Sequence, residues 1–158
     1  MYTIKHHGAV NGVTGSCHQL SLDGSCFSSD KSRSVLIDCG LFQGDESFDR
    51  DVGDSAASSA VARLKQIDFP IEDVKALLVT HCHIDHVGRI PYLLAAGFDG
   101  PIYATKATAL LLPLVIEDAL KVGVTRNRSI IRSVMTRFES QLVPIEYDEW
   151  FNVEGFDR

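Results

Sequence analysis

The residues with the most chemical capacity stand together in one run, His81-Cys82-His83-Ile84-Asp85-His86. Imidazole nitrogen and carboxylate oxygen both bind zinc, at about 2.0–2.2 Å. In an extended segment, side chains two apart point the same way. His81 and His83 can therefore reach one metal while Cys82 faces away. If the chain then turns into a helix, Asp85 and His86 point to different places and can reach a second metal. Two metals about 3.5–4 Å apart can hold a bridging hydroxide and stabilise both oxygens of an in-line displacement. With 6 histidines in 158 residues, three His and one Asp at these positions arise by chance about once in a thousand chains. One alternative is a group of exposed histidines at a strand end, with Asp85 as a helix cap. Another is the His-x-His of a metal-dependent barrel, but such barrels run to about 250 residues and leave the Asp-His pair unexplained.

Flanking elements must position this cluster. Val74 to Thr80 reads as a buried strand running straight into it. Upstream, Tyr2 to His6 alternates as a first strand and Ser16 to Leu22 as a second. Gly8, Gly12 and Gly15 lie in the loop between them, without the Gly-x-Gly-x-x-Gly spacing of a dinucleotide site. Ser28 to Ser34 is a polar turn. Ser34 to Cys39 is a buried strand carrying Asp38, and Gly40 and Gly44 bracket the turn after it. Asp45 to Ser59 reads as an exposed loop leading into a short helix. Downstream, Gly88 to Ala96 has Pro91 near a helix start and Gly97 past its end. Gly100 to Ala104 is a strand, and Ala107 to Val122 a helix in which Pro113 marks a kink or second start. Asn127 to Leu142 is amphipathic, with Ile130, Ile131, Val134, Phe138 and Leu142 on one side. Tyr147 to Val153 reads as a last strand. The order gives an α/β domain.

The length suits one domain. Apolar residues make up 45% and charged residues 23%, the balance of an ordinary soluble domain. A net charge of −6 argues against a generally basic nucleic-acid surface and leaves room for a local patch. Lys121, Arg126, Arg128, Arg132 and Arg137 fall in a stretch without acidic residues. The arginines flank both sides of the apolar helix face, so a solvated face with snorkelling arginines is preferred to one RNA-binding stripe. Cys17, Cys26, Cys39 and Cys82 form no Cys-x-x-Cys pair, which argues against a zinc ribbon or a thioredoxin-like site. Cys39 and Cys82 read as small buried residues. The start MYTIKHHGAV has no signal-peptide pattern, and no stretch nears the roughly 18 apolar residues of a membrane span. The expectation is a cytoplasmic protein with reduced thiols.

The cluster resembles the His-x-His-x-Asp-His signature of the metallo-β-lactamase superfamily. Three stretches are similar to its RNA-processing, β-CASP branch, which includes ribonuclease J and the polyadenylation-factor endonuclease. They are Gly12-Val13-Thr14-Gly15-Ser16-Cys17, Leu36 to Gly44 (LIDCGLFQG), and His83 to Leu93 (HIDHVGRIPYL). Gly100 to Thr105 (GPIYAT) fits the same branch. The resemblance implies a four-layer αββα sandwich, two zinc ions, and phosphodiester hydrolysis in RNA, sometimes DNA. By position, His81 and His83 would hold the first zinc, and Asp85 and His86 the second. Asp85 would also be placed to take a proton from the attacking water. Asp38 would orient the ligand loop from behind; its plainer reading is a turn-capping aspartate.

The family also supplies each zinc with a later histidine, and a later aspartate bridges the metals. This sequence has no histidine after His86. Residues 1–158 are therefore expected to be the N-terminal half of the sandwich, without the cap and the C-terminal part. They would come from a larger nuclease or a truncated gene product, and alone would bind zinc weakly and hydrolyse little. His6, His7 and His18 can fill the ligand gap only if the fold carries them to the cluster; they read instead as surface or core histidines. Half a sandwich exposes a sheet edge and an apolar face, which predicts self-association or a covering partner. The rival functions are a thioester or lactam hydrolase of the same superfamily and a non-catalytic partner subunit.

Overall fold

The computed structural model describes residues 1–27, 31–42, 66–153 and 156. Six strands form one mixed sheet in sequence order: β1 (Tyr2–His6), β2 (His18–Leu22), β3 (Arg33–Ile37), β4 (Val74–Val79), β5 (Ile102–Thr105) and β6 (Leu142–Ile145). β1, β2 and β3 pair antiparallel, and β3 to β6 run parallel. Parallel neighbours need crossovers, usually helical. Here α1 (Ile84–Val87) and α2 (Ile90–Ala95) carry the chain from β4 to β5, and α3 (Lys106–Gly123) and α4 (Arg128–Gln141) from β5 to β6.

The central strands are apolar on both sides because both faces of the sheet are covered there. On one face Leu36, Leu77, Val79, Ile102 and Ala104 pack beneath Ile90, Leu93, Leu112, Ile116 and Phe138 from the helices. On the other, Val35, Ala76 and Tyr103 are buried by Leu20, Leu78, Val153 and Phe156. That second face is poorly covered towards β1, where Tyr2 is 74% and Ile4 57% exposed. The described residues thus build one sheet and one helical layer, half of the expected four-layer sandwich.

The helices that frame the sheet start where their polar caps allow. Thr105 caps α3 by accepting the Thr108 N–H, and Asn127 caps α4 by accepting the N–H groups of Ser129 and Ile130. Pro113 does not restart the helix, because α3 is continuous through it. A proline removes one backbone donor, and the burial of Leu112, Ile116 and Leu120 holds the helix across the gap. In α4, Ile131 and Phe138 are buried, but Ile130 is 49% exposed and leaves the predicted apolar side.

The last strand is misplaced by the sequence reading. It is Leu142–Ile145, which pairs with β5 directly after α4, from Ile102↔Leu142 to Thr105↔Ile145. Pro144 is tolerated because β6 is an edge strand. Tyr147 and Asp148 form a turn, with Asp148 at φ +59°, so Tyr147 to Val153 cannot continue the ladder. Instead Phe151 lies against Tyr103, with ring centroids 5.2 Å apart. The predicted loop and helix over Asp45 to Ser59, the Gln43-Gly44 turn and residues 28–30 of the polar turn lie outside the described residues. Among the described residues, no helix is long and apolar enough to cross a membrane.

Candidate metal centre

The C-terminal ends of β3 and β4 meet at one rim of the sheet. Asp38 leaves β3 there, and Thr80 to His83 leave β4. Asp38 adopts φ +61°, a left-handed conformation that aspartate tolerates because its short side chain bonds locally. Its N–H still reaches the Leu78 carbonyl at 2.9 Å, so the sheet ladder continues while the carboxylate turns inward. Asp38 is 2% exposed. A buried carboxylate must be matched by donors, and it has four: the Thr80 N–H and hydroxyl at 2.9 Å, the Ser16 hydroxyl at 3.1 Å and His86 Nδ1 at 2.7 Å.

Those bonds fix the imidazole tautomers. Asp38 accepts only, so His86 carries its proton on Nδ1 and leaves Nε2 free. Thr80 has one hydroxyl proton, and Asp38 takes it. The Thr80 oxygen then accepts from His81 Nδ1 at 3.1 Å, which frees His81 Nε2 as well. The unprotonated Nε2 of His81 accepts from His83 Nδ1 at 3.1 Å, so His83 holds a proton there that a shared metal would replace. The free Nε2 of His86 lies 3.6 Å from Asp85 Oδ2. Two nitrogens on one tetrahedral zinc would stand about 3.3 Å apart, given ordinary Zn–N distances. Each pair of donors therefore has the chemistry and spacing of half a zinc site. The pairs adjoin, with His81 and His86 ring centroids 4.0 Å apart. Among the described residues, no three His, Cys, Asp or Glu side chains converge on a single ion.

Backbone bonds set α1 against the loop after β3. Cys39 N–H donates to the His86 carbonyl at 2.8 Å, Leu41 N–H to Ile84 at 3.1 Å, and Ser16 N–H to Asp85 at 2.9 Å. The return bond runs from Arg89 N–H to the Cys39 carbonyl at 2.9 Å. Gly40 permits this contact: a Cβ there would lie 1.6 Å from the Asp85 carbonyl oxygen. Arg89, 2% exposed, ties the same loop through a 2.7 Å bond from Nε to the Gly40 carbonyl. α1 begins at an extended His83 with no side-chain cap, so Asp85 sits in the first turn and does not cap the helix.

The structure brings His81, His83, Asp85, His86 and Asp38 together at this rim. Cys82 turns away and packs against the core, and Cys39 is fully buried. The Cys39 thiol donates to Cys17, which lowers the Cys17 pKa and, with burial, pushes that of Cys39 well up. The N-terminal histidines do not join the cluster. His7 stacks on Phe69 with centroids 3.7 Å apart and bonds Gln19. His6 and His18 face each other, and His18 reaches Asp38 only through Ser16. Burial, then the neighbouring His6 charge, holds the His18 pKa below its ordinary value. The basic stretch is divided by structure: Arg137 bonds the Phe98 carbonyl at 2.8 Å and Lys121 pairs with Glu117.

The roles of Thr80, Ser16 and Gly40 at the site escaped the sequence reading. Thr80 directly precedes the cluster, and a hydroxyl beside a ligand histidine is a usable signal. Ser16 and Gly40 stand in the stretches that carry the family resemblance, but their roles depend on contacts between segments far apart in the chain, which no local pattern reveals.

Residues 28–156 match the family model described as the metallo-beta-lactamase superfamily. Ribonuclease TTHA0252 of Thermus thermophilus is 40% identical over 146 residues, covering 92% of this chain and 28% of that protein. Transcription termination factor FttA of Methanocaldococcus jannaschii is 34% identical over 96 residues, 61% of this chain and 13% of its own. Cleavage and polyadenylation specificity factor subunit 3-II of Arabidopsis thaliana is 32% identical over 121 residues, 76% of this chain and 17% of its own. The chain spans under a third of each of these relatives. It belongs to the metallo-beta-lactamase superfamily, a hydrolase family, and is similar there to a ribonuclease, a transcription termination factor and a cleavage and polyadenylation factor subunit.

Proposed function

We propose that this chain carries the N-terminal half of a zinc-dependent phosphodiesterase site that acts on RNA in a longer protein. The observation that carries the reading is the Asp38 platform. One buried carboxylate, with Thr80, leaves the Nε2 atoms of His81 and His86 unprotonated at a shared rim, beside His83 Nδ1 and Asp85 Oδ2. His81 with His83, and Asp85 with His86, would hold the metal. Bound zinc supplies Lewis acidity and an acidified water nucleophile in such sites. The protein's own part is to fix the donor atoms, to keep the His86 proton on Nδ1, and to present the Asp85 carboxylate at the rim as a proton acceptor. RNA as substrate, with DNA second to it, is favoured over a lactam or thioester by the names of the relatives, one a ribonuclease and one a cleavage factor subunit. Two donors per ion fall short of the usual three, so this stretch alone binds zinc weakly and turns over little. The exposed Tyr2 and Ile4 support a second element of the reading: another polypeptide, a second copy or the rest of a longer chain, covers the face opposite the helices.

The test is a zinc titration of the 158-residue chain, followed through the imidazole signals of His81, His83 and His86. A panel of RNA, DNA, a thioester and a β-lactam is run at high zinc. The reading expects all three rings to respond, and any hydrolysis to fall on RNA and vanish in Asp85→Asn. Silent rings, or turnover of lactam or thioester in place of RNA, would refute it. Tight stoichiometric zinc with robust cleavage would refute the half-site.

A further inference from the structure

Outside the cluster, one pair of metal-ligating side chains meets with no assigned task. His6 on β1 and His18 on β2 are direct cross-strand partners. The next pair along, His7 with Cys17, is joined by a backbone bond of 2.8 Å from the His7 N–H. Antiparallel pairs alternate, so His6 and His18 occupy a non-hydrogen-bonded position, where side chains approach most closely. Their rings meet edge to face with centroids 4.9 Å apart, and the two Nδ1 atoms are 2.8 Å apart. At that distance one lone pair must face a proton or both must face a shared cation. The outer nitrogen of His18, Nε2, lies 3.5 Å from the Ser16 hydroxyl, whose own proton goes to Asp38. Ser16 therefore accepts from His18 Nε2–H. This leaves His18 Nδ1 with its lone pair directed at His6. A ligating histidine is held in this way, with its other ring nitrogen donating to a fixed acceptor.

We propose that His6 and His18 form a cross-strand bis-imidazole site for one divalent transition-metal ion, separate from the His81–His86 cluster. The shared cation replaces the proton between the two Nδ1 atoms, and the N···N separation opens from 2.8 Å towards the roughly 3.3 Å of a tetrahedral pair. Imidazole donors select zinc, nickel or copper over the hard magnesium and calcium ions, which take oxygen ligands. No third protein donor joins the pair among the described residues, so water fills the remaining positions. The site shares no ligand with the proposed zinc cluster and stands whether or not that cluster binds metal.

The probe is Zn²⁺ added to the whole 158-residue chain, with Mg²⁺ as the control, read through the ring nitrogen resonances of His6 and His18. Both Nδ1 signals should move together with one apparent affinity, and Mg²⁺ should leave them in place. In His6→Gln or His18→Gln, the surviving ring should respond at least ten-fold more weakly, since a chelate needs both partners. His83→Ala should leave the response intact. Rings that stay silent with Zn²⁺ mean a hydrogen-bonded pair only and overturn the proposal. So does a surviving ring that responds within ten-fold of the unsubstituted chain, or a response that disappears with His83→Ala.

Discussion

Asp38→Asn tests the platform most directly, because it changes charge and protonation while keeping volume and backbone. Asparagine tolerates the left-handed φ of +61°, so no backbone strain is added. Its single oxygen can serve only one side of the site. If it faces Thr80, the amide NH2 meets two donors, His86 Nδ1–H at 2.7 Å and the Ser16 hydroxyl at 3.1 Å. His86 escapes that clash by moving its proton to Nε2, the nitrogen that faces Asp85. A protonated Nε2 cannot ligate. Loss of such an orienting partner lowers metal affinity about 10–100-fold, or roughly 1.4–2.7 kcal/mol. The buried charged hydrogen bonds are separately worth about 1.5–3 kcal/mol each. Allowing for new bonds made by the amide, a net destabilisation of about 2 kcal/mol follows, or a fall of roughly 4–8 °C in Tm for a chain of this size. The assay pairs a zinc titration with imidazole nitrogen shifts, which read the His86 tautomer, and thermal unfolding. Unchanged zinc affinity with His86 still protonated on Nδ1 would show that Asp38 does not set the tautomer, and the platform argument would fail.

Three further outcomes follow from the same structure. Gly40→Ala places a Cβ 1.6 Å from the Asp85 carbonyl and must push α1 off the loop; a loss of about 3 kcal/mol in urea unfolding is expected, and a variant of native stability would contradict the close contact. Phe138→Ala empties a fully buried position between α4 and the sheet and should cost about 3–5 kcal/mol; under 1 kcal/mol would mean that α4 is not docked. His18 has a folded pKa below its ordinary value, through burial first and the His6 charge second. The unfolded chain therefore binds that proton more readily, so this contribution to stability is complete above about pH 6.5 and declines as the pH falls below it. Unfolding midpoints from pH 8 to 5 in the native chain and in His18→Gln would show it, the variant having the flatter profile; parallel profiles would remove His18 as the cause.

The sequence by itself determined the order and period of the elements and the identity of the donors. β1 needed no correction, because its alternation is local. The His81–His86 spacing placed three nitrogens and a carboxylate at a strand–helix junction, since a strand's period of two and a helix's first turn are short-range geometry. Where the reading failed, long-range pairing won. Leu142–Ile145 joins the sheet because β5 offers it an open edge, not because its own pattern outcompetes that of Tyr147 to Val153. Pro113 stays helical because three buried residues around it favour the helix. Only the tertiary structure decided which nitrogen each histidine presents. That depends on Asp38 meeting Thr80 and His86 across 42 and 48 residues of chain, and on Gly40 lacking a side chain at the point of contact. No periodicity encodes such a meeting, because it is fixed by packing two strand ends and a short helix at one rim.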